Sequence, residues 1–210
     1  MKNKLKYAFT LELPGWQSHL KLAPKERVDG ILERKSNKSA KLSAVMLVLF
    51  KEDNQIKILL ILRSEYDGAH SGQISFPGGQ KEGNDFNLKE TAIRETFEEV
   101  SIKINQEDVL GKLTNLYIPN SNFIVEPYVA FVDDNMENLF PDYSEVQQIY
   151  KVALDELLDE KTIQLKEVMS RNNHPLIAPC FYVNKLKIWG ATAMILNELI
   201  DIIKRNDSIY

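Results

Sequence analysis

The sequence predicts an α/β protein in which a mixed β-sheet lies between helices, an α/β/α sandwich. Three observations point there. Two short apolar runs, 43–50 and 56–62, flank a polar turn. A second pair of runs, 109–117 and 123–132, follows an amphipathic stretch at 87–100. The chain then closes on another amphipathic stretch at 191–204. Runs of strand length interleaved with segments of helical period describe strands and helices sharing one core.

Residues 1–41 read as a mixed, largely helical N-terminal extension, expected to pack on the main domain. It has a turn at Pro14-Gly15 and a helix expected from Ala23-Pro24 towards Arg34. Residues 36–39 read as a linker, the main domain is expected over 42–205, and 206–210 read as a tail. Runs 43–50 and 56–62 should pair antiparallel across the turn 51–55. Between 87 and 100 there is no Gly or Pro, and Leu88, Ala92, Ile93, Thr96, Phe97 and Val100 recur at three- and four-residue steps. That is the period of a helix with one buried stripe. Asn87 or Asp85 suits its N-cap, and Glu90 completes a capping-box pattern with Asn87. Runs 109–117 and 123–132 form a second pair, joined through Pro119-Asn120-Ser121-Asn122. Residues 144–159 are expected as a short helix with Val152, Leu154, Leu157 and Leu158 inward. Further strands are expected at 162–169 and 181–188, and the closing helix follows Trp189-Gly190.

Composition narrows the class. Hydrophobic residues at 44% and charged residues at 27% suit an ordinary soluble domain. The lone Cys180 allows no internal disulfide, no N-terminal apolar run suggests a signal peptide, and no stretch approaches the roughly 20 apolar residues of a membrane span. A cytoplasmic protein, monomer or homodimer, with no membrane partner is the expectation. The formal net charge of −4 is uneven: residues 1–41 hold ten Lys or Arg against four Asp or Glu, the rest sixteen against twenty-six. The basic section either helps draw in a polyanionic ligand or is a solvated surface. Overall acidity and the lack of an aromatic-basic stripe argue against nucleic acid.

The chemistry concentrates at 78–102. Glu95, Glu98 and Glu99 stand at i, i+3 and i+4, so their side chains emerge as neighbours and repel one another. A hard divalent cation resolves that conflict, because Mg²⁺ takes oxygen ligands and bridges to phosphates. Arg94 can pair back to Glu90 or lean over a neighbouring carboxylate and fix its orientation. A solvated acidic face is the alternative for the glutamates alone.

With Gly79, Asp85, Arg94, Glu95, Glu98 and Glu99 at their spacings, the segment resembles the signature box of the Nudix hydrolases. Asp85 stands where that family has Glu, the spacer from Asp85 to Arg94 is one residue longer, and Ser101 replaces a Gly. The upstream residues Leu59–Ser64 and His70-Ser71-Gly72-Gln73-Ile74-Ser75-Phe76-Pro77-Gly78-Gly79 look like the extended motif of the coenzyme A pyrophosphatase subfamily. Thr91–Thr96 and Trp189-Gly190-Ala191-Thr192-Ala193 are also similar to that group.

The resemblance implies the α/β/α Nudix fold. It also implies hydrolysis of the coenzyme A pyrophosphate to 4′-phosphopantetheine and adenosine 3′,5′-bisphosphate, with Mg²⁺ or Mn²⁺. Glu95 and Glu99 would hold the metal, with Glu98 as a further ligand or orienting base, and Glu145 is a candidate distal ligand or base. Arg63 is expected to pair with a phosphate or with Asp67. His70 is expected to meet a phosphate or the adenine side, or to be a turn residue. Gly72, Gly78 and Gly79, beside Gln73, would let the backbone approach the substrate closely. Phe76-Pro77, Trp189 and Cys180 read as packing. A Nudix enzyme for ADP-ribose or a nucleoside triphosphate, and a silent nucleotide sensor, are the alternatives.

Overall fold

The computed structural model describes residues 2–25, 28, 39–64, 72–133, 136–169 and 174–206. Its centre is a long strand, β1 (Lys41–Glu52), buried over most of its length. Met46, Val48 and Phe50 join the core on one face, Leu47 and Leu49 the core on the other. A near-continuous apolar run marks a strand covered on both sides. Asp53 and Asn54, with φ of 51° and 60°, turn the chain tightly, a left-handed conformation that Asx residues tolerate. β2 (Gln55–Arg63) returns antiparallel, as expected.

The two strands stay paired only from Leu49 opposite Ile58 to Glu52 opposite Gln55. Beyond that point they part, and residues 74–80 enter between them as a wedge. β3 (Ile74–Ser75) pairs with Ile61 and Leu62 of β2, and β4 (Gly78–Gln80) pairs with Ser43–Val45 of β1. Between the two, the Pro77 carbonyl accepts from the Met46 amide at 2.9 Å. β5 (Val109–Lys112) and β6 (Leu116–Ile118) pair antiparallel with β7 (Phe123–Val132), which runs parallel to β1. The eight-stranded sheet is therefore mixed.

β8 (Val146–Ala153) closes the outer edge of β2. This corrects the helix expected over 144–159, of which only Leu154–Leu158 is helical. The segment VQQIYKVA carries β-branched and aromatic residues, and the open edge of β2 decides in favour of a strand. A separate three-stranded sheet holds β9 (Ile163–Met169), β10 (Pro175–Val183) and β11 (Leu186–Trp189). The strand expected at 181–188 is thus a hairpin, turned by Asn184 and Lys185 at φ of 52° and 66°. No glycine advertises that turn.

Among the described residues the large sheet is flanked by the helices α1 (Lys2–Ala8), α2 (Trp16–Lys21), α3 (Leu88–Val100), α4 (Leu154–Leu158) and α5 (Gly190–Arg205). Ala92 and Val100 of α3 pack with Met46, Val48 and Leu59 on one face. On the other face α5 packs from Met194 to Ile203, with Leu5, Leu154 and Leu157 beside it. The sandwich expected from the sequence is present. Of the N-terminal expectations, most of the 23–34 helix and the 36–38 linker lie outside the described residues.

The N-terminal section is tied to α5 by a buried carboxylate. Glu198, 0% exposed, accepts from the Gly15 amide at 3.1 Å, the Thr114 amide at 3.1 Å and the Thr114 hydroxyl at 2.7 Å. His19 Nε2 lies 3.0 Å away. Ser18 and Lys21 bond to Asp201 one turn further on. Among the described residues no helix is long and apolar enough to cross a membrane.

Candidate catalytic site

α3 starts where a capping residue allows it. The Asn87 side chain accepts from the Glu90 amide at 3.0 Å, and Glu90 reaches back to the Phe86 amide at 3.2 Å. Asp85 is released for another task. It accepts from Arg94 Nε and Nη2, both at 3.0 Å, from the Thr91 hydroxyl at 2.9 Å and from the Glu82 amide at 2.9 Å. The Arg94 guanidinium outweighs burial and holds the Asp85 carboxyl well below the usual range. The helix ends at Ser101, left-handed at φ 60°, with its amide on the Phe97 carbonyl. Serine takes the cap that glycine usually takes.

The buried stripe of α3 is the expected one apart from Phe97, with Leu88 and Ile93 packed against the core beside it. Thr91, Ala92, Thr96, Glu99 and Val100 are inside, whereas Phe97 is 56% exposed. The helix is turned so that Glu99 enters the gap opened by the wedge. There its Oε2 accepts the Gly78 amide at 2.8 Å, and its Oε1 lies 3.1 Å from Arg63 Nη1. Burial pushes the Glu99 carboxyl up to about 7, against the pull of Arg63 and the Gly78 amide, and Glu95 and Glu145 add to the rise.

Glu95 is mostly buried too, and burial raises its carboxyl. Glu98 stays more than half exposed. Arg94 Nη1 sits between them, 3.0 Å from Glu95 and 2.8 Å from Glu98. Arg94 thus leans over neighbouring carboxylates; it does not pair back to Glu90.

The two glycines of β4 bring the main chain close to these acids. A Cβ on Gly78, at φ +150°, would come 2.2 Å from the Ala44 carbonyl oxygen. On Gly79 it would come 2.4 Å from Glu95 Cδ. Only glycine fits between the carboxylate and β1.

Arg63 ends β2 and serves Glu99, with Glu145 Oε2 at 3.8 Å from its other Nη. Asp67, the expected alternative partner, lies outside the described residues, as does His70. Gly72 is exposed with φ of 63°, and the Gln73 carbonyl accepts the Arg63 amide at 3.1 Å. Cys180 is fully buried, and Trp189 ends β11 beside it.

Sequence reasoning did not find the cavity next to these groups. It holds about 390 Å³ and runs from Arg63, Gly78 and Gly79 to Ile118, Phe123 and Ile195. Apolar wall residues look like core in a sequence, and only their assembly reveals the space.

A divalent ion can be tested against this donor set. Carboxylate oxygens from Glu95, Glu98 and Glu99, with Glu145 across the gap, suit a hard cation. Among the described residues no group of three such side chains is gathered around one point; Arg63 contacts Glu99, and Arg94 contacts Glu95 and Glu98. The chemistry fits; the arginines hold the acids meanwhile.

The comparisons agree with the geometry. The NUDIX domain family model matches residues 40–171. Nudix hydrolase 3 of Caenorhabditis elegans is 28% identical, covering 80% of this chain and 74% of that protein. The uncharacterized Nudix hydrolase NudL of Photorhabdus laumondii is 33% identical over 68% of this chain and 74% of its own length. Among solved structures, a MutT/nudix family protein from Enterococcus faecalis superposes with a TM-score of 0.54 at 15% identity, over 92% of this chain and 73% of that one. A MutT protein from Methanosarcina mazei gives 0.50 at 19%, over 83% and 98%. From the matched domain and the relatives it follows that this chain belongs to the Nudix family of hydrolases.

Proposed function

We propose that the protein hydrolyses the pyrophosphate of coenzyme A or a derivative, giving 4′-phosphopantetheine, free or acylated, and adenosine 3′,5′-bisphosphate. One observation carries the reading. Residues 74–79 of the coenzyme A-type motif lie in the wedge, so Gly78 and Gly79 touch Glu99 and Glu95 on one side and wall the cavity on the other.

Nudix hydrolases generally use divalent metal ions; bound here, Mg²⁺ or Mn²⁺ would neutralise the pyrophosphate and make water a better nucleophile. Glu95, Glu98 and Glu99 would hold it. Arg94, anchored on Asp85, orients Glu95 and Glu98. Arg63 keeps Glu99 in place until substrate and cation arrive, and its other Nη is then available to a phosphate oxygen.

Purified protein with Mg²⁺, given coenzyme A, ADP-ribose and a nucleoside triphosphate in parallel, tests this by mass spectrometry of the products. Adenosine 3′,5′-bisphosphate and phosphopantetheine are expected. Cleavage of ADP-ribose or the triphosphate without coenzyme A would overturn the substrate and leave the pyrophosphate chemistry.

Gly79→Ala gives a second check. The new methyl displaces the Glu95 carboxylate, so kcat should fall by roughly 10²-fold, the usual effect of an ångström-scale misplacement. The melting temperature should change little, since the atoms in the way are the carboxylate end of Glu95 and not backbone. Unchanged kcat would remove Glu95 from the site.

A further inference from the structure

We infer that Glu198 is a positioning residue for substrate binding: it fixes the spacing of two walls of the cavity beside the wedge. The inference rests on the proposed function in one respect, that a group flanking the pyrophosphate enters this cavity. It does not depend on which group that is.

An open space between apolar walls closes when the walls can slide together, because apolar burial is non-directional and a void forfeits contacts. The cavity of about 390 Å³ lies between such walls. Ile118 and Phe123, paired where β6 meets β7, belong to one; Ala191 and Ile195 of α5 belong to another. Hydrogen bonds are directional and can hold two elements at a set distance. α5 makes such ties to both neighbours of the cavity. In its first turn the Thr192 hydroxyl donates to the Ile74 carbonyl of the wedge at 3.0 Å. Further along, Glu198 reaches Thr114, which leads into β6. Glu198 follows Ile195 by three positions, so the two lie on one stripe of the helix.

The tie to Thr114 is double. Glu198 Oε1 accepts the Thr114 hydroxyl at 2.7 Å, and Oε2 accepts the Thr114 amide at 3.1 Å. Each oxygen also meets the N-terminal section, Oε1 at the Gly15 amide and Oε2 at His19 Nε2. Docking that section alone would use only Gly15 and His19; the other half of the carboxylate's bonds go to the cavity's side. At 0% exposure, the carboxylate cannot follow one segment without leaving a buried donor of another unpaired.

The test is steady-state kinetics of the full chain with Mg²⁺, beside thermal melts. The substrate is whichever of coenzyme A, ADP-ribose and a nucleoside triphosphate is cleaved. Thr114→Val removes the hydroxyl bond and keeps the shape. KM should rise by roughly three- to tenfold, the upper end matching one lost hydrogen bond to a charged group. kcat should stay near wild type, since Arg63, Arg94 and Gly78 still hold the acids. Thr114→Ser, which restores the hydroxyl, should return KM to the wild-type value. Ser18→Ala removes a bond from the N-terminal section to Asp201 and leaves Thr114 untouched; it should lower the melting temperature without moving KM. If Thr114→Val does not fold, Thr114→Ala takes its place. An unchanged KM in the Thr114 variant, a fall in kcat in place of the KM rise, or an equal KM rise from Ser18→Ala overturns the inference. If coenzyme A is cleaved without the KM pattern, the inference falls and the proposed reaction stands. If another substrate alone is cleaved and shows the pattern, the inference stands and coenzyme A falls. Cleavage of none of the three overturns both.

Discussion

Glu99→Gln is expected to lower kcat by on the order of 10³-fold or more, the scale set by losing a positioned carboxylate in metal-assisted hydrolysis. Glutamine keeps the volume and an oxygen for the Gly78 amide, so the wedge keeps its contact. It removes the charge that the cation and Arg63 both need. Stability should move by no more than about 1–2 kcal/mol, because relief from desolvation offsets the lost pairing with Arg63. Steady-state kinetics on coenzyme A with Mg²⁺, beside a thermal melt, would show both. Near-normal turnover from a folded Glu99→Gln protein would sink the metal assignment; a collapsed melting temperature would recast Glu99 as a structural residue.

Glu198→Ala should do the reverse, unsettling the fold far from the chemistry. The carboxylate serves Gly15, His19 and Thr114 at once. Truncation leaves those buried donors without an acceptor, a loss of about 3–5 kcal/mol. The loss should depend on pH. Burial alone would raise the Glu198 carboxyl, but the bonds from His19 and Thr114 prevail and hold it below its ordinary value. Its contribution is therefore complete above the unfolded carboxyl pKa of about 4.3 and disappears as pH falls through the lower folded value. Urea unfolding at pH 7 and at several values below 4 should show the gap between wild type and variant narrowing with acid. A gap under 1 kcal/mol at pH 7 would mean that the N-terminal section docks by other means.

The acidic helix was legible because its chemistry and its period lie in one short stretch. The box acids, the Asn87 cap and the β1–β2 pair needed no distant information. Phe97 misled because hydrophobicity assigns a phenyl ring to the interior, whereas the rotation of α3 is set by Glu99 finding Gly78 and Arg63, which are 21 and 36 positions away. Long-range pairing also made β8 a strand. The partnership of His19 with Glu198 spans 179 positions, and no local pattern announces it. Arg63 was expected to face phosphate or Asp67; its partner Glu99 is close only after the sheet has formed.

The wedge bears on how the chain acquires its activity. β1 and β2 can form their turn at Asp53-Asn54 from neighbours alone, a rapid local event. Residues 74–80 must instead meet two strands that have already parted, and then α3 must seat Glu99 against them. Closing such loops costs entropy before any contact repays it. The acids proposed for catalysis are therefore expected to take their places among the last steps of folding, and regain of turnover after dilution from denaturant should trail the return of sheet signal.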